Sequence, residues 1–274
     1  MTAWICATCG NWHPDSPSPP DVCAICADER QWVPRTGQRW TTLAELTEAG
    51  HRSDIRELEP DLVGIGTTPP VSIGQRSLLV RTDAGHVLWD LGAYLDDAAV
   101  AFVQESGGLV GIAASHPHFY GSATEWSERL GGVPILLPEA DVRWLLRPSP
   151  HVRTWSGRFE VVPGVTLVQC GGHFPGSAVL HWAAGADGRG VLLTGDTVMV
   201  TPGQDRVTFM RSAPNRIPLP ERLVRHIVDV LDPFDFDRIY AGWWETTLDA
   251  DAKAVVHRDG ERYIAWLRGE VPEE

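Results

Sequence analysis

Three histidines and an aspartate follow short apolar runs of the sequence, where side chains that do chemistry are often found. His116 and His118 come directly after the apolar run 109–114. In an extended loop, residues i and i+2 point the same way, so this pair can share one metal ion. His173 lies in a glycine-rich turn, and Asp196 follows a further apolar run. Imidazole and carboxylate groups are ligands of zinc and iron, so these residues predict a metal centre.

Four of the five cysteines stand within the first 26 residues, as Cys6-x-x-Cys9 and Cys23-x-x-Cys26. Each pair places two thiolates on one tight turn, and two such turns can close a tetrahedron around zinc or iron. In a cytosolic protein this spacing indicates metal binding rather than disulfides. The proline-rich segment between the pairs is predicted to be a loop that the metal ties off.

The composition restricts the class of protein. The 274 residues include 23 Lys and Arg against 36 Asp and Glu, a formal net charge of −13. Such a surface repels phosphate backbones and anionic lipid, so neither nucleic acid nor a membrane is expected as a partner. The first residues lack the basic and apolar segments of a signal peptide, which predicts a cytoplasmic protein. The partner that we expect instead is a small-molecule substrate. The sequence gives no indication of the oligomeric state.

The remaining pattern predicts an α+β domain in which strands carry the chemical residues. Residues 1–40 are predicted to form the cysteine element and residues 41–274 the main domain. A capping box at Thr42 and Glu45 predicts a short helix over 43–49, and apolar spacing predicts helices near 219–231 and 252–267. Short apolar runs predict strands at 77–80, 87–90, 109–114, 134–137, 165–168, 178–180 and 191–193. Five tryptophans in periodic segments are expected in the core: Trp89, Trp126, Trp144, Trp155 and Trp266.

The order of these motifs resembles that of the metallo-β-lactamase superfamily. His-x-His at 116–118 is followed by Gly-Gly-His-x-Pro-Gly-Ser at 171–177 and Thr-Gly-Asp-Thr at 194–197, and Asp90-x-Gly92 matches an early turn of the family. The resemblance implies an αββα sandwich with its metals at one edge. It also implies that His116, His118 and His173 bind the first metal and that Asp196 bridges to a second.

The cysteine element resembles the rubredoxin-like domain of rubrerythrin-type proteins. That resemblance implies either an electron-transferring iron centre or a zinc ribbon that only stabilises the fold. We favour the structural role, because the sequence shows no electron partner nearby.

The sequence departs from the family where the second metal would bind. The family's first motif is His-x-His-x-Asp-His, but here Tyr120 replaces the aspartate and Gly121 replaces the last histidine. Trp243 stands after Gly242, where the family has its final histidine. These departures predict a single metal in the main domain, with zinc as the expected ion and iron as the alternative.

The resemblance favours a hydrolase of a small ester, thioester or lactone. One metal would activate water, with Asp196 at the metal and Tyr120 as a hydrogen-bond donor. Trp243 and Trp244 would form an aromatic wall for substrate or fill the space of the lost metal. Arg211 would bind a substrate carboxylate or remain solvated.

Two other functions are compatible with the same residues. Persulfide dioxygenases resemble this superfamily and hold one iron with two histidines and an aspartate, for which His116, His173 and Asp196 match. Loss of several ligands is also what a non-catalytic binding protein of this fold would show.

Overall fold

The computed structural model describes residues 2–271. The first strands are β1 Ile5–Cys6, β2 Trp40–Thr41, β3 Arg52–Glu59, β4 Leu62–Thr68, β5 Ser77–Val80, β6 Val87–Trp89, β7 Gly111–Ala113, β8 Ile135–Pro138, β9 Val152–Trp155 and β10 Arg158–Val162. The later strands are β11 Val165–Gln169, β12 Ala178–Trp182, β13 Val191–Leu193, β14 Met199–Val200, β15 Val207–Thr208, β16 Met210–Ser212, β17 Ile217–Pro218, β18 Arg238–Tyr240 and β19 Thr247–Leu248. The helices are α1 Ala24–Ala27, α2 Leu43–Glu48, α3 Asp97–Glu105, α4 Ala123–Arg129, α5 Gly185–Gly188, α6 Glu221–Leu231 and α7 Ala252–Arg268, with 3-10 turns at Pro117–Phe119 and Glu139–Trp144.

Two mixed sheets form the centre of the molecule. One sheet has seven strands in the order β3-β4-β5-β6-β7-β8-β9, and the other has six in the order β10-β11-β12-β13-β18-β19. Their facing sides share one buried apolar cluster that includes Leu78 and Trp89 from the first sheet and Leu180 and Leu193 from the second. Burial of these faces against each other stabilises the sandwich.

Helices cover the outer side of each sheet. Helices α6 and α7 pack on the six-stranded sheet through a cluster that includes Val224, Ile227 and Val256. Helices α3 and α4 cover the seven-stranded sheet through Val103 and Trp126. The order helix, sheet, sheet, helix is the predicted αββα sandwich, so the expected fold class is confirmed. None of the helices in the described part of the chain has the length and apolarity needed to cross a membrane.

The predicted elements are present with small shifts at their ends. Helix α2 begins after Thr42, whose side chain accepts from the Glu45 backbone while the Glu45 side chain accepts from the Thr42 backbone, as the capping box predicts. Helix α6 begins at Glu221 rather than at Leu219, because Pro220 stands just before its first turn. Trp266 is 55% exposed, so the expectation that it lies in the core is wrong.

The N-terminal residues have a small sheet of their own and contact the sandwich through an apolar cluster. Strands β1 and β2 pair antiparallel, with Cys6 opposite Trp40. Trp12 packs in a cluster with Val71 and Ala93 of the main domain, and its indole Nε1 donates to the Ala93 carbonyl at 2.8 Å. The cysteine element is therefore docked against the sandwich.

Candidate metal centre

The predicted metal ligands meet where several strands end at one edge of the sandwich. Strands β6 and β7 are parallel, so their carboxyl ends lie together and lead into Asp90 and His116. His173 comes from the loop between β11 and β12, and Asp196 follows β13. Gly195 has a φ of +50°, and a Cβ there would stand 2.0 Å from the Ser115 Oγ. Glycine thus lets the turn of Asp196 approach the loop of His116.

Four of these side chains, which we call the histidine site, surround one point: His116, His118, His173 and Asp196. One ligand atom from each lies within 4.8 Å of all the others. The Asp196 Oδ2 is 3.5 Å from the His116 Nε2 and 3.8 Å from the His173 Nε2. The His173 Nε2 is 3.4 Å from the His118 Nδ1. The converging atoms are therefore Nε2 of His116 and His173 and Nδ1 of His118.

The donor set fits a metal ion. The His116 Nε2 and the Asp196 Oδ1 are buried and have no hydrogen-bond partner among residues 2–271. The His118 Nε2 is a third buried atom of the cluster without a partner in these residues. Buried polar atoms normally have partners, so three orphaned atoms in one cluster need an explanation. Three imidazoles and a carboxylate at these separations are ligands that zinc and iron accept.

Hydrogen bonds hold two of the rings in the orientation that metal binding needs. The Ser115 hydroxyl lies 2.8 Å from the His116 Nδ1, and the Ser115 backbone N–H donates to the Asp90 carboxylate at 2.6 Å. The Nδ1 of His173 lies 3.0 Å from the Met210 carbonyl. A carbonyl only accepts, so the His173 Nδ1 carries the proton and its Nε2 keeps a lone pair for the metal. The Ser115 hydroxyl holds the orientation of the His116 ring.

Burial controls the charge of the histidine site. It lowers the pKa of His116 well below the usual value, and it lowers the pKa of His173 to about 4. Burial also raises the pKa of Asp196 to about 7. The imidazoles are therefore neutral at pH 7, as ligands must be, and a buried cation would stabilise the carboxylate.

The local structure around His118 differs from the predicted extended loop. Pro117, His118 and Phe119 form a 3-10 turn, with Pro117 at its first position. Proline is well suited to that position because its φ is fixed near the helical value. The two histidines reach the same point by using different ring nitrogens, rather than by strand alternation.

The residues that replace the family's second-site ligands, Tyr120 and Gly121, are tightly packed. A Cβ on Gly121 would stand 2.9 Å from the Gly92 carbonyl and 3.2 Å from the Leu91 carbonyl, so backbone occupies the space of a longer side chain. The Tyr120 hydroxyl is buried and lacks a partner within the described chain. Burial raises the pKa of this phenol well above its usual value, and the charges of Asp141 and Asp90 raise it further.

The three proposed substrate contacts occupy different surroundings. Trp243 lies beside Phe119 with ring centroids 5.7 Å apart, and its Nε1 donates to the Ile73 carbonyl at 2.7 Å. The ring of Trp244 instead packs against strand β4, so closely that a Cβ at Gly64 would come within 2.6 Å of it. Arg211 pairs with Glu29 of the cysteine element.

The four cysteines form a second cluster, which we call the cysteine site. The Sγ atoms of Cys6 and Cys26 are 3.5 Å apart, and those of Cys9 and Cys23 are 3.7 Å apart. A zinc tetrahedron with bonds of about 2.3 Å has sulfur–sulfur edges of about 3.8 Å. Hydrogen bonds from Cys26, Cys6 and Cys9 lower the pKa of Cys23 below the usual thiol range. No other set of three or more His, Cys, Asp or Glu side chains between residues 2 and 271 converges in this way.

Two residues near the histidine site have no counterpart in the sequence prediction. Arg30 donates from Nε to the His173 carbonyl at 2.7 Å, and its guanidinium lies 4.0 Å from the centroid of Phe174. Asp141 accepts from the Gly176 backbone N–H at 2.8 Å and so anchors the loop that carries His173. No local motif marks either residue, because both contacts depend on distant parts of the chain.

Comparison with known proteins identifies the family. The sequence model described as "Metallo-beta-lactamase superfamily" matches residues 73–243. The uncharacterized protein YmaE of Bacillus subtilis (strain 168) is 41% identical over 273 residues, which cover 99% of each chain. The chain therefore belongs to the metallo-β-lactamase superfamily.

Solved metallo-β-lactamases share the fold at low sequence identity. VMB-1 has a TM-score of 0.58 and 12% identity, and the match covers 79% of this chain and 98% of that one. A B3 enzyme described as having an active-site glutamic acid has a TM-score of 0.53 and 15% identity, with 85% and 97% covered. A Cronobacter sakazakii enzyme with a HARLDQ motif has a TM-score of 0.50 and 18% identity, with 79% and 93% covered.

Proposed function

We propose that this protein is a metal-dependent hydrolase of a small ester, thioester or lactone, and that the histidine site is its active site. The observation that carries the proposal is the convergence of three neutral imidazoles and a carboxylate at the strand ends of this fold. Zinc is the proposed metal at the histidine site, and zinc or iron at the cysteine site. We also propose that the protein is cytoplasmic and acts without a nucleic-acid or membrane partner.

The chain's own residues have distinct roles in this proposal. A metal held at the histidine site supplies a Lewis acid and makes hydroxide available near neutral pH. Neutral imidazoles leave most of the metal's charge uncompensated, and Asp196 is positioned to accept a hydrogen bond from the attacking water at Oδ1. Tyr120 keeps its proton because burial raises its pKa, so it donates a hydrogen bond to the oxygen that becomes negative.

Substrate contacts are proposed on the side of the lost metal. The half-buried ring of Trp243 forms an apolar wall beside Phe119. Trp244 supports that wall from the β4 side. Arg211 reaches a substrate carboxylate once it leaves Glu29.

The test is a comparison of metal content and hydrolysis in matched histidine variants. We expect His173→Ala to lose the main-domain metal and the turnover of an ester, thioester and lactone panel. His257→Ala is the control, because His257 is a half-buried residue of α7 that pairs with Asp232 just after α6. Full turnover by a His173→Ala protein without main-domain metal would refute the proposal.

Metal identity separates the alternatives in the same preparation. Iron at the histidine site, together with sulfite formed from a persulfide, would replace the hydrolase by an oxygenase of the persulfide dioxygenase type. A histidine site that stays empty in metal-supplemented protein would indicate a binding protein. The near-complete burial of the four ligands is the observation that supports this last alternative.

A further inference from the structure

The N-terminal segment 2–41, which we call the cap, lies directly against the histidine site. Arg30 of the cap is 6% exposed and donates to the carbonyl of His173, one of the metal ligands. Its guanidinium also covers the ring of Phe174, the next residue along the chain. The loop that carries one metal ligand is thus held from outside by a charged side chain of the cap.

The same part of the cap is held by a second loop of the main domain. The Ser212 hydroxyl donates to the Arg30 carbonyl at 3.0 Å. The Asn215 side-chain amide donates to the carbonyls of Glu29 and Gln31, both at 2.8 Å. This loop begins beside Met210, whose carbonyl lies 3.0 Å from the His173 Nδ1. Cap and metal ligand therefore share one hydrogen-bonded network.

The other side of the cap packs against Gly121, one of the residues that replace the family's second-site ligands. The carbonyl of Gly10, which directly follows Cys9, stands 3.4 Å from where a Cβ of Gly121 would be. The Ser72 hydroxyl donates to the Cys6 carbonyl at 3.3 Å. Both contacts connect the first cysteine turn, residues 6–10, to the main domain, whereas Arg30 follows the second cysteine turn.

The metal ligands have almost no access to solvent. The exposed fractions are 0% for His116, 2% for His118, 1% for His173 and 6% for Asp196. A substrate that must touch the metal cannot do so until something moves.

The cap depends on the cysteine site for its own structure. The cysteines form a buried cluster in which Ile25 is the one other fully enclosed apolar residue, with Trp40, Trp144 and Leu146 packed against it. So small an apolar cluster orders little chain by itself, and metal bound by four thiolates contributes folding free energy directly. Loss of that metal therefore loosens both turns that hold the cap in place.

We propose that the cysteine site is a latch: metal bound there holds the cap closed over the histidine site, and its release opens the way for substrate. The latch rests on the proposed function only in taking the histidine site as the place where substrate binds. The closed conformation is the one described above, with Arg30 as the contact that joins cap and ligand loop. The open conformation frees Arg211 from Glu29 as well.

Hydrogen–deuterium exchange of the full chain tests the latch without any assay of activity. The variants are Cys23→Ser with Cys26→Ser, which removes the latch metal, and Arg30→Ala, which removes the tie but keeps all four cysteines. Arg225→Ala is the control, since Arg225 pairs with Glu221 on the surface of α6. In both test variants we expect exchange in peptides covering 115–121 and 171–177 to rise by about tenfold or more, as loss of a charge-assisted hydrogen bond implies. Unchanged protection in both would overturn the latch.

Cobalt substitution gives a second readout and separates this inference from the proposed function. Cobalt in the cysteine site shows thiolate absorption, whereas cobalt in the histidine site does not. The loss of cobalt to a chelator can therefore be followed separately at each site. We expect cobalt to leave the histidine site about tenfold faster in Arg30→Ala than in the control. An equal rate would count against the latch. If the histidine site takes up no cobalt in any protein, the proposed function fails and the exchange experiment still decides the latch. If the double cysteine variant does not fold, Arg30→Ala decides alone.

Discussion

At the residue scale, the nitrogens that His116 and His173 turn away from the metal are as important as the ones they offer. The Nδ1 of His116 faces the Ser115 hydroxyl, and the Nδ1 of His173 faces the Met210 carbonyl. The sequence motifs named the three histidines, but not these partners, because the partners depend on how the loops fold back. Only tertiary structure shows which lone pairs remain for a metal.

The first prediction concerns the serine beside His116. Ser115→Ala removes the hydroxyl that orients the ring, so affinity of the histidine site for metal should fall by about 10- to 100-fold. Competition with a chromophoric chelator measures this affinity. Ser127→Ala is the matched control, because Ser127 is also buried and donates to a carbonyl, that of Val133. Equal affinity in Ser115→Ala and wild type would show that the ring needs no such partner.

The second prediction concerns the pH dependence contributed by Asp141. Burial raises the pKa of this carboxyl to about 6 in the folded protein, from 3.8, although the charge of Arg30 opposes the shift. The folded state then holds the proton more tightly than the unfolded state, so wild type loses stability as pH rises from about 4 to about 6. Asp141→Asn does not titrate and can still accept from Gly176.

Urea unfolding of wild type and Asp141→Asn between pH 4 and pH 8 measures this contribution. The variant should gain stability relative to wild type as the pH rises through about 4 to 6, and the difference should stay constant above that window. A difference that does not change with pH would contradict the assigned environment of Asp141.

The third prediction concerns the missing second metal. Gly121→His restores the family residue but forces a Cβ to within 2.9 Å of the Gly92 carbonyl. We expect no additional metal and a loss of about 1–3 kcal/mol in stability, as for other overpacked buried positions. Metal analysis and thermal unfolding test both parts, with Gly121→Ala as the comparison. An additional bound metal in Gly121→His would show that the backbone can give way.

At the element scale, the sequence predicted most of the buried strands and the helices α2, α6 and α7. It did not predict α3 and α4, which cover the seven-stranded sheet. Runs such as 77–80 and 191–193 are wholly buried, and continuous apolar sequence identifies such strands well. The hairpin of β3 and β4 was not predicted. Strand β3 is half-exposed and rich in charge, and β4 contains Gly64 and Gly66, which weaken any strand signal.

The two glycines of β4 have a packing role that their sequence does not show. A Cβ on Gly64 or Gly66 would come within 2.7 Å of the Trp244 ring, so the flat strand serves as a platform for the indole. The guanidinium of Arg56 lies 4.1 Å from the same ring. In this structure, the ring of Trp244 therefore connects the loop after β18 to strand β4.

The fourth prediction is a double-mutant cycle on this contact. Gly64→Ala alone should cost about 1–3 kcal/mol because the methyl group overlaps the indole. With Trp244→Ala already present, the same substitution should cost much less, since the overlap is gone. Chemical denaturation of the four proteins gives the coupling free energy. Additive effects would mean that Trp244 does not rest on β4.

At the scale of the whole molecule, the placement of the cap is the feature that the sequence did not predict. The motifs indicated two metal sites and a sandwich, and both clusters and the fold are present. Nothing in the spacing of the cysteines indicates that they lie over the histidines. The position of the cap depends on contacts such as the hydrogen bond between Arg30 and His173, two residues that are 143 positions apart in the chain.

The fifth prediction concerns a chain that begins at residue 42. Removing the cap uncovers apolar residues of the main domain that now pack against Trp12 and Ile5, among them Val71 and Ala93. Exposed apolar patches promote association, so the shortened protein should bind a hydrophobic dye and self-associate. Size-exclusion chromatography and dye fluorescence measure this. A shortened chain that remains monomeric and does not bind dye would show that the cap covers little apolar surface.

The contact between Arg30 and the loop at 212–215 also determines when the protein can mature during synthesis. The cysteine turns leave the ribosome first and can take up metal while most of the chain is still unmade. Their docking partners, Ser212 and Asn215, are translated about 180 residues later, as the separations of the hydrogen-bonded pairs show. At about 5–20 residues per second, this delay lasts roughly 10 to 40 seconds. Asp196, the last ligand of the histidine site, is itself translated only 16 residues before Ser212. The histidine site and the docking partners of the cap therefore become available almost together, long after the cysteine site.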